Sequence, residues 1–216
     1  MARFALALVV GAVQAQHAVL GAGGHGVLHQ SELNDGPPPT KDHAAYARWM
    51  VAELTWGVMS TTSTQESIKG TAFGNPVSIA DGGTGNPYMC VSPLDASIID
   101  LQVDPKFSLT LSANQLSTPK TKALCQEGSF GDPENPPCAR LVLSGTFKNL
   151  TATDEFDAAK AALNATHPAM AGWGCFSADG GGDHGFFLAK LDVAQAWLIN
   201  MFGGAAVISA SDYFGA

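Results

Sequence analysis

In one stretch of the sequence, apolar and polar residues alternate as they do in a β-strand. Phe107, Leu109 and Leu111 fall on one side of it, and serines and threonines fall on the other. A period of two is typical of a strand that buries one face. The polar segment before this alternating stretch contains Pro93 and Pro105, and proline does not suit a central strand. We therefore predict a loop or short helix that leads directly into a core strand.

Short β-prone runs recur before and after this stretch, and glycine-rich turns separate them. Such a series favours antiparallel strands in a meander or barrel, and the chain shows none of the strand–helix alternation of a doubly wound sheet. We predict a mainly β fold with flanking helices (α+β). The other predicted strands cover residues 55–63, 76–80, 87–91, 139–148, 186–193, 196–201 and 205–209.

An amphipathic helix is expected near the start of the folded part. Asp42 is its predicted N-cap, because a short acidic side chain can accept a hydrogen bond from the first free backbone N–H groups. Tyr46, Trp49, Met50 and Leu54 follow at helical spacing. Aromatic residues in this pattern form the buried face of a helix, so we assign them to the core and not to a binding site.

A second helix is expected after the strand at residues 139–148. Thr151 and Asp154 resemble a capping pair, and the inner face would then be Phe156, Ala159 and Leu163. The following His-Pro pair should end the helix, and we expect the histidine, His167, to cap helix carbonyls and not to take part in chemistry.

The N-terminus has the pattern of a secretory signal peptide. Arg3 precedes an apolar run at residues 4–13, and Val13-Gln14-Ala15 has the small-x-small form of a cleavage site. The alternative is a buried N-terminal helix. Spanning a bilayer needs about 20 apolar residues, so no membrane span is expected, and the product should lie in the lumen of the secretory pathway or outside the cell.

The predicted domain organisation is a signal peptide (residues 1–15), a flexible leader (residues 16–41) and one folded domain (residues 42–216). The leader is rich in glycine and proline and shows no hydrophobic period. His25 and His29 within it are four residues apart, but a glycine-rich segment gives no helix to align them, so we interpret them as solvated.

Two sequons agree with export. Asn149 and Asn164 each stand two residues before a threonine, with no proline between, and are the predicted glycosylation sites. The net charge of −8 argues against a nucleic-acid partner, which would favour a basic surface.

The four cysteines form an even set that an oxidising compartment would pair. Three connectivities are possible. Cys125 and Cys138 bracket a loop whose closure would stabilise the fold by ~3 kcal/mol. Cys90 and Cys175 would then be either bonded to each other or buried and free. None of the spacings is C-x-x-C, so no metal site is expected.

The order of these segments is similar to that of the CREG family, secreted glycoproteins with a split β-barrel of the pyridoxamine 5'-phosphate oxidase type, also called FMN-binding-like. The likeness runs from Tyr46 to Tyr213. Each segment alone is a weak indication of the family, whereas the preserved order of all the segments is quite specific. The segments that carry it are residues 56–63 (WGVMSTTS), 87–94 (PYMCVSPL), 100–105 (DLQVDP), the loop from Cys125 to Cys138, 143–146 (LSGT), His167-Pro168 with Trp173, 186–191 (FFLAKL) and 197–204.

The resemblance implies a homodimer built on the barrel, glycosylation, and an extracellular or endolysosomal location. In the wider superfamily FMN lies in a groove at the dimer interface, and CREG proteins look like members that keep the barrel and lose the flavin. A binding or signalling role without catalysis, through a protein receptor, therefore competes with a second hypothesis, an FMN-dependent oxidoreductase.

The residues near the expected phosphate site favour the first hypothesis. An FMN phosphate carries about two negative charges and needs cations or clustered donors. FMN-binding relatives typically place Lys or Arg three residues before an Asn-Leu pair. The corresponding pair here is Asp100-Leu101, so the cation's position is Ser97, and Asp95 and Asp100 would repel a phosphate. We predict no cofactor; if FMN binds, the expected donors are Ser60, Thr61, Thr62 and Lys69.

No set of catalytic residues is predicted. The chain has no G-x-S-x-G motif, and no serine, histidine and aspartate stand in a recognisable catalytic context. A haem-degrading role would need a histidine ligand near the C-terminus, and no histidine follows His184.

Overall fold

A computed structural model of the chain describes residues 36–116, 118–126, 131–177, 181 and 183–216. The predicted signal peptide and most of the predicted leader, with His25 and His29, lie outside the described residues, and the domain boundaries therefore stay predictions. In the part that is described, no helix has both the length and the apolar character needed to cross a bilayer.

The described residues form one antiparallel sheet with helices beside it. The strand order is β2-β1-β4-β5-β6-β3, and β7 pairs with the second half of β6. The predicted mainly β architecture with flanking helices is confirmed. The strands are β1 (Trp56–Thr62), β2 (Ala72–Ser78), β3 (Tyr88–Val91), β4 (Lys106–Ser112), β5 (Arg140–Asn149), β6 (Phe187–Ile199) and β7 (Ala206–Ser209).

Five α-helices and three short 3₁₀ segments accompany the described strands. The predicted first helix is confirmed, since Asp42 accepts a hydrogen bond from the backbone N–H of Ala45 at its start. The helices are α1 (His43–Glu53), α2 (Ala96–Val103), α3 (Pro119–Cys125), α4 (Phe156–Thr166) and α5 (Ala210–Phe214), and the 3₁₀ segments are Glu66–Ile68, Ala113–Gln115 and Pro168–Trp173.

The predicted core strand is β4, and the predicted short helix before it is α2. Phe107, Leu109 and Leu111 are all buried on the inner face of the sheet. Leu109 lies opposite Met59 of β1 on one side and Leu143 of β5 on the other. The period of two thus places β4 between two other strands, with its apolar face against the core.

The outer face of the sheet carries two parallel rows of side chains. We call the first the apolar row, because five of its six side chains are apolar and only Thr110 carries a hydroxyl group. This row crosses six strands as Pro76, Val58, Thr110, Val142, Trp197 and Val207. The second, which we call the hydroxyl row, crosses the same strands as Gly74, Ser60, Ser108, Ser144, Gln195 and Ser209.

The two strands predicted at residues 186–193 and 196–201 are wrong as separate elements, because β6 is one continuous strand. A β-bulge explains the difference. Val193 and Ala196 both face the core, and two exposed residues lie between them where a regular strand would have one or three. The pairing with β5 shifts register at the same point, between Ser144 and Gly145. The shift interrupts the alternation, which in the sequence looks like the end of a strand.

The strand predicted at residues 76–80 begins four residues earlier, at Ala72, and ends at Ser78. β2 lies at one end of the strand order, where β1 is its only partner among the described strands. An edge strand tolerates proline, because its outward N–H position needs no partner. Pro76 therefore lies inside the strand and does not start it.

The capping predicted for α4 is wrong. The helix begins at Phe156, and no side chain caps it. Its end is capped by the backbone N–H of His167, which donates to Leu163 O. The imidazole contacts carbonyl groups outside the helix, with Nε2 at 3.0 Å from the carbonyl oxygens of both Thr55 and Ile79. His167 thus joins α4 to the ends of β1 and β2.

The predicted disulfide between Cys125 and Cys138 is confirmed, and Cys90 and Cys175, which the sequence left as either bonded or free, are bonded to each other. Cys125–Cys138 joins the end of α3 to the residues before β5, and Cys90–Cys175 joins β3 to the segment after the last 3₁₀ turn. No free cysteine remains. The second bridge crosses 85 residues of sequence, and it belongs to a smaller buried cluster between β3 and α4.

Candidate functional site

A groove of about 680 Å³ runs along the hydroxyl row on the outer face of the sheet. We call it the hydroxyl groove. The hydroxyl groups of Ser108 and Ser144 are 3.0 Å apart across two neighbouring strands. Lys106 and Asp104 give it one cation and one carboxylate among the described residues. The groove is lined by Ser60, Thr61, Thr62, Gly70, Ala72, Asp104, Lys106, Phe107, Ser108, Ser144, Gly145, Thr146, Ala194 and Gln195.

The structure brings three of the four residues predicted as FMN donors to the hydroxyl groove. Ser60 and Thr62 lie on the outer face of β1, whereas Thr61 points into the protein and is only 4% exposed. Lys69 is exposed but does not line the groove. The cation that does line it, Lys106, was missed, although the alternation in β4 places it on the same face as Ser108.

Thr61 already donates its hydroxyl to a buried carboxylate. Asp100 is 1% exposed, and its Oδ2 accepts from Thr61 Oγ1 at 2.7 Å. Its Oδ1 accepts from both the backbone N–H and the hydroxyl of Thr64, each at 2.7 Å. Burial alone would raise the pKa of Asp100, but the three hydrogen bonds from Thr64 and Thr61 outweigh it and hold the pKa below its usual value. The donors at this point therefore serve an internal anion.

Ser97, the position expected to carry a cation in an FMN-binding relative, lies beside a second carboxylate. Asp95 caps α2 by accepting from the backbone N–H of Ser97 at 2.7 Å. The side-chain amide of Asn75 donates to both oxygens of Asp95, at 3.0 and 3.2 Å, and to Ser97 Oγ at 3.3 Å. No lysine or arginine forms an ion pair with Asp95 or Asp100 within the described ranges.

The residues at these two points do not suit the phosphate of FMN. A doubly charged phosphate at Ser97 would meet the carboxylate of Asp95, and one at Thr61 would have to replace Asp100. Bringing like charges together in a partly buried place costs free energy unless cations compensate. The hydroxyl groove has one cation, Lys106, and one carboxylate, Asp104, among its described lining residues, so these side chains give it no net positive charge.

The other predicted sites lie apart from this region. Asn149 is exposed at the end of β5, and its side-chain oxygen accepts from the backbone N–H of Thr151 at 2.8 Å. Asn164 is exposed in the last turn of α4. The described residues contain no group of three or more His, Cys, Asp or Glu side chains that could hold a metal ion.

Comparison with known proteins agrees with this fold. A sequence model of the family described as "CREG, beta-barrel" matches residues 38–215. Protein CREG1 of Mus musculus is 35% identical over 181 residues, which cover 82% of this chain and 76% of that protein. Protein CREG1 of Homo sapiens is 33% identical over 200 residues, which cover 90% of this chain and 84% of the human protein.

Solved structures show the same fold at low identity. A heme binding protein from Mycobacterium smegmatis superposes with a TM-score of 0.61 at 22% identity, over 83% of this chain and 62% of that chain, less than two thirds of it. The protein Atu2129 of Agrobacterium tumefaciens, of unknown function, superposes with a TM-score of 0.56 at 16% identity, over 81% of this chain and 60% of that chain. These similarities confirm the predicted split β-barrel. By the family model and the sequence relatives, the chain belongs to the CREG family.

Proposed function

We propose that the chain acts as a binding or signalling protein without catalysis and without flavin. The observation that carries this proposal is the pair of carboxylates at the expected phosphate site. Asp100 accepts a hydrogen bond from Thr61, one of the donors expected for an FMN phosphate, and Asp95 lies next to Ser97, where a cation would be required. A protein receptor is the expected partner.

The absorption spectrum of the protein tests this proposal. The protein should be purified without added cofactor from cells with a normal flavin supply. We expect it to show no absorption band at the wavelengths where flavins absorb and to release no FMN on denaturation. Addition of FMN should leave its fluorescence unchanged, because phosphate repulsion prevents binding. A stoichiometric flavin spectrum from the native protein would contradict the proposal.

The same measurement decides the alternative, an FMN-dependent oxidoreductase. The specific observation in favour of that alternative is the hydroxyl groove, which offers the hydroxyl groups of Ser60 and Thr62 and the ammonium group of Lys106. Removal of that ammonium by Lys106→Gln would then release the flavin. In a protein that binds no flavin the same substitution has no effect on the spectrum.

The chain is further proposed to be a glycoprotein of the secretory pathway, located outside the cell or in the endolysosomal lumen. Two disulfides support an oxidising compartment. Both proposed glycan acceptors, Asn149 and Asn164, are exposed, so a bulky sugar would meet no steric barrier at either. We expect protein from secreting eukaryotic cells to lose mass on glycosidase treatment, and the double variant Asn149→Gln, Asn164→Gln to show no loss. A wild-type protein whose mass does not change would contradict the glycoprotein proposal.

We also propose that the active form is a homodimer that pairs through the outer face of the sheet. The apolar row supports this, because it presents apolar side chains on five of its six strands; Pro76 and Val207 are exposed, Val207 to 67%, and the other three are half-buried. Apolar surface in such a continuous arrangement is typical of a protein interface.

A further inference from the structure

A second cleft, separate from the hydroxyl groove, opens beside the start of α2. It has a volume of about 480 Å³ and lies between β2, β3 and the segment that follows α4. We call it the aromatic cleft. Its main side chains are Asn75, Ser92, Asp95, Trp173, His184 and Phe186. The hydroxyl groove shares none of these residues.

The walls of the aromatic cleft are held together by contacts between distant parts of the chain. The Cys90–Cys175 bridge fixes the segment of Trp173 to β3. Ser92 Oγ donates to the backbone oxygen of His184 at 2.6 Å, across 92 residues of sequence. The cleft is therefore preformed, which reduces the entropy that a ligand would lose from the protein on binding.

One carboxylate, that of Asp95, is among the described residues that line the cleft. The carboxylate of Asp95 is held in place by the backbone N–H of Ser97 and the amide of Asn75, both of which are neutral donors. A carboxylate offers about four acceptor positions, and no cation pairs with this one within the described ranges. Asp95 can therefore accept a further hydrogen bond from a positively charged group.

Aromatic side chains also line the cleft. Trp173 is 45% exposed, and its ring centroid lies 5.5 Å from that of Phe186. The ring of His184 lies 6.0 Å from Phe186 in an edge-to-face arrangement. The faces of aromatic rings attract cations through their quadrupole, and Trp attracts them most strongly. No lysine or arginine is among the described residues that line the cleft.

We propose that the aromatic cleft binds an organic ammonium group, between the carboxylate of Asp95 and the exposed ring of Trp173. The group belongs either to a lysine side chain of a partner or to a small amine, since both present the same charge to the same two walls. This inference rests on the proposed binding role and gives that role a chemical class of ligand. A site for an anionic phosphate would need the opposite charge.

Titration of the ¹⁵N-labelled protein at pH 7.4, followed by NMR, tests the inference. The probes are choline with its neutral isostere 3,3-dimethylbutan-1-ol, and Nα-acetyl-lysine methylamide with its Nε-acetylated form. We expect the charged probe of at least one pair to shift the indole N–H of Trp173 and the side-chain amide of Asn75 until saturation. The neutral probes should bind at least about tenfold more weakly. Preference for choline or for the lysine derivative identifies the small amine or the partner side chain as the source.

Two substitutions with matched controls localise the binding. Asp95→Asn keeps the N-cap of α2, because asparagine caps as well as aspartate does, and should weaken binding about tenfold. Asp157→Asn removes the same charge from the first turn of α4 and should change affinity less than about twofold. Trp173→Leu should abolish saturable binding, whereas Trp56→Leu, at a residue that is also 45% exposed, should not.

Equal binding of charged and neutral probes overturns the inference, as does binding that survives both Asp95→Asn and Trp173→Leu. It is also overturned if neither ammonium probe shifts the two signals. If the protein is colourless but neither ammonium probe binds, this inference fails and the proposed function stands, because the proposed function is contradicted only by a flavin spectrum. The two failures are therefore distinguishable.

Discussion

Replacement of Gly145 by alanine is expected to lower the free energy of unfolding by about 3 kcal/mol. Gly145 faces β6 at the bulge, and a Cβ atom there would lie 2.0 Å from the carbonyl oxygen of Asp192 and 3.1 Å from the backbone nitrogen of Ala194. Both atoms are backbone, so no side-chain rotation relieves the overlap. The two central strands would have to separate, and their pairing and the core beneath would be disturbed together.

Denaturant unfolding of the purified variant, followed by intrinsic fluorescence, measures this change. Gly172→Ala is the matched control, because a Cβ atom at Gly172 meets no atom within 4 Å. The control should stay within about 0.5 kcal/mol of the wild type. If Gly145→Ala were as stable as the control, the close approach of β5 and β6 at the bulge would be wrong.

The bulge also shows where sequence patterns stop being informative about this fold. A strand with regular alternation, such as β4, was predicted correctly because its apolar period matches its burial residue by residue. β6 was predicted as two strands because the extra residue of the bulge changes which alternate positions face the core, from odd-numbered residues before the bulge to even-numbered residues after it. Gly145 and the broken alternation in β6 are local signs of a bulge, but neither strand alone shows which residues of the other strand it pairs with.

The candidate site was predictable only in part, for a similar reason. The carboxylate of Asp100 and the absence of a cation at Ser97 were visible because they lie in one short segment that resembles the family. That Asp100 would accept hydrogen bonds from Thr61 and Thr64 was not, since those residues are 39 and 36 positions away. The walls of the aromatic cleft come from segments still further apart, and only the fold brings them together.

The proposed homodimer gives the second large effect. The apolar row crosses the outer face of β5 at Val142, between Thr110 on β4 and Trp197 on β6. In a dimer with twofold symmetry the same face of both subunits forms the interface. A charge introduced near the centre of that face would be buried in the interface without a partner.

Val142→Glu is therefore expected to raise the dissociation constant of the dimer at least about 100-fold, the effect of losing an interface hot spot. Sedimentation velocity over a range of protein concentrations measures it. Val103→Glu is the control, because Val103 is apolar and 74% exposed but lies on α2, away from the row. That variant should remain a dimer.

Val207→Glu separates a loss of dimerisation from a loss of folding. Val207 belongs to the same row but is 67% exposed in the single chain, so a glutamate there leaves the core packing of the subunit unchanged. We expect this variant to keep the wild-type midpoint of unfolding when both are measured at a concentration where the wild type is monomeric, and still to dimerise more weakly. If Val142→Glu and Val207→Glu both dimerise like the wild type, the interface lies elsewhere and the apolar row is ordinary surface. If both weaken the dimer while Val103→Glu does not, the interface is the outer face of the sheet, because Val142 and Val207 both lie on that face and Val103 does not.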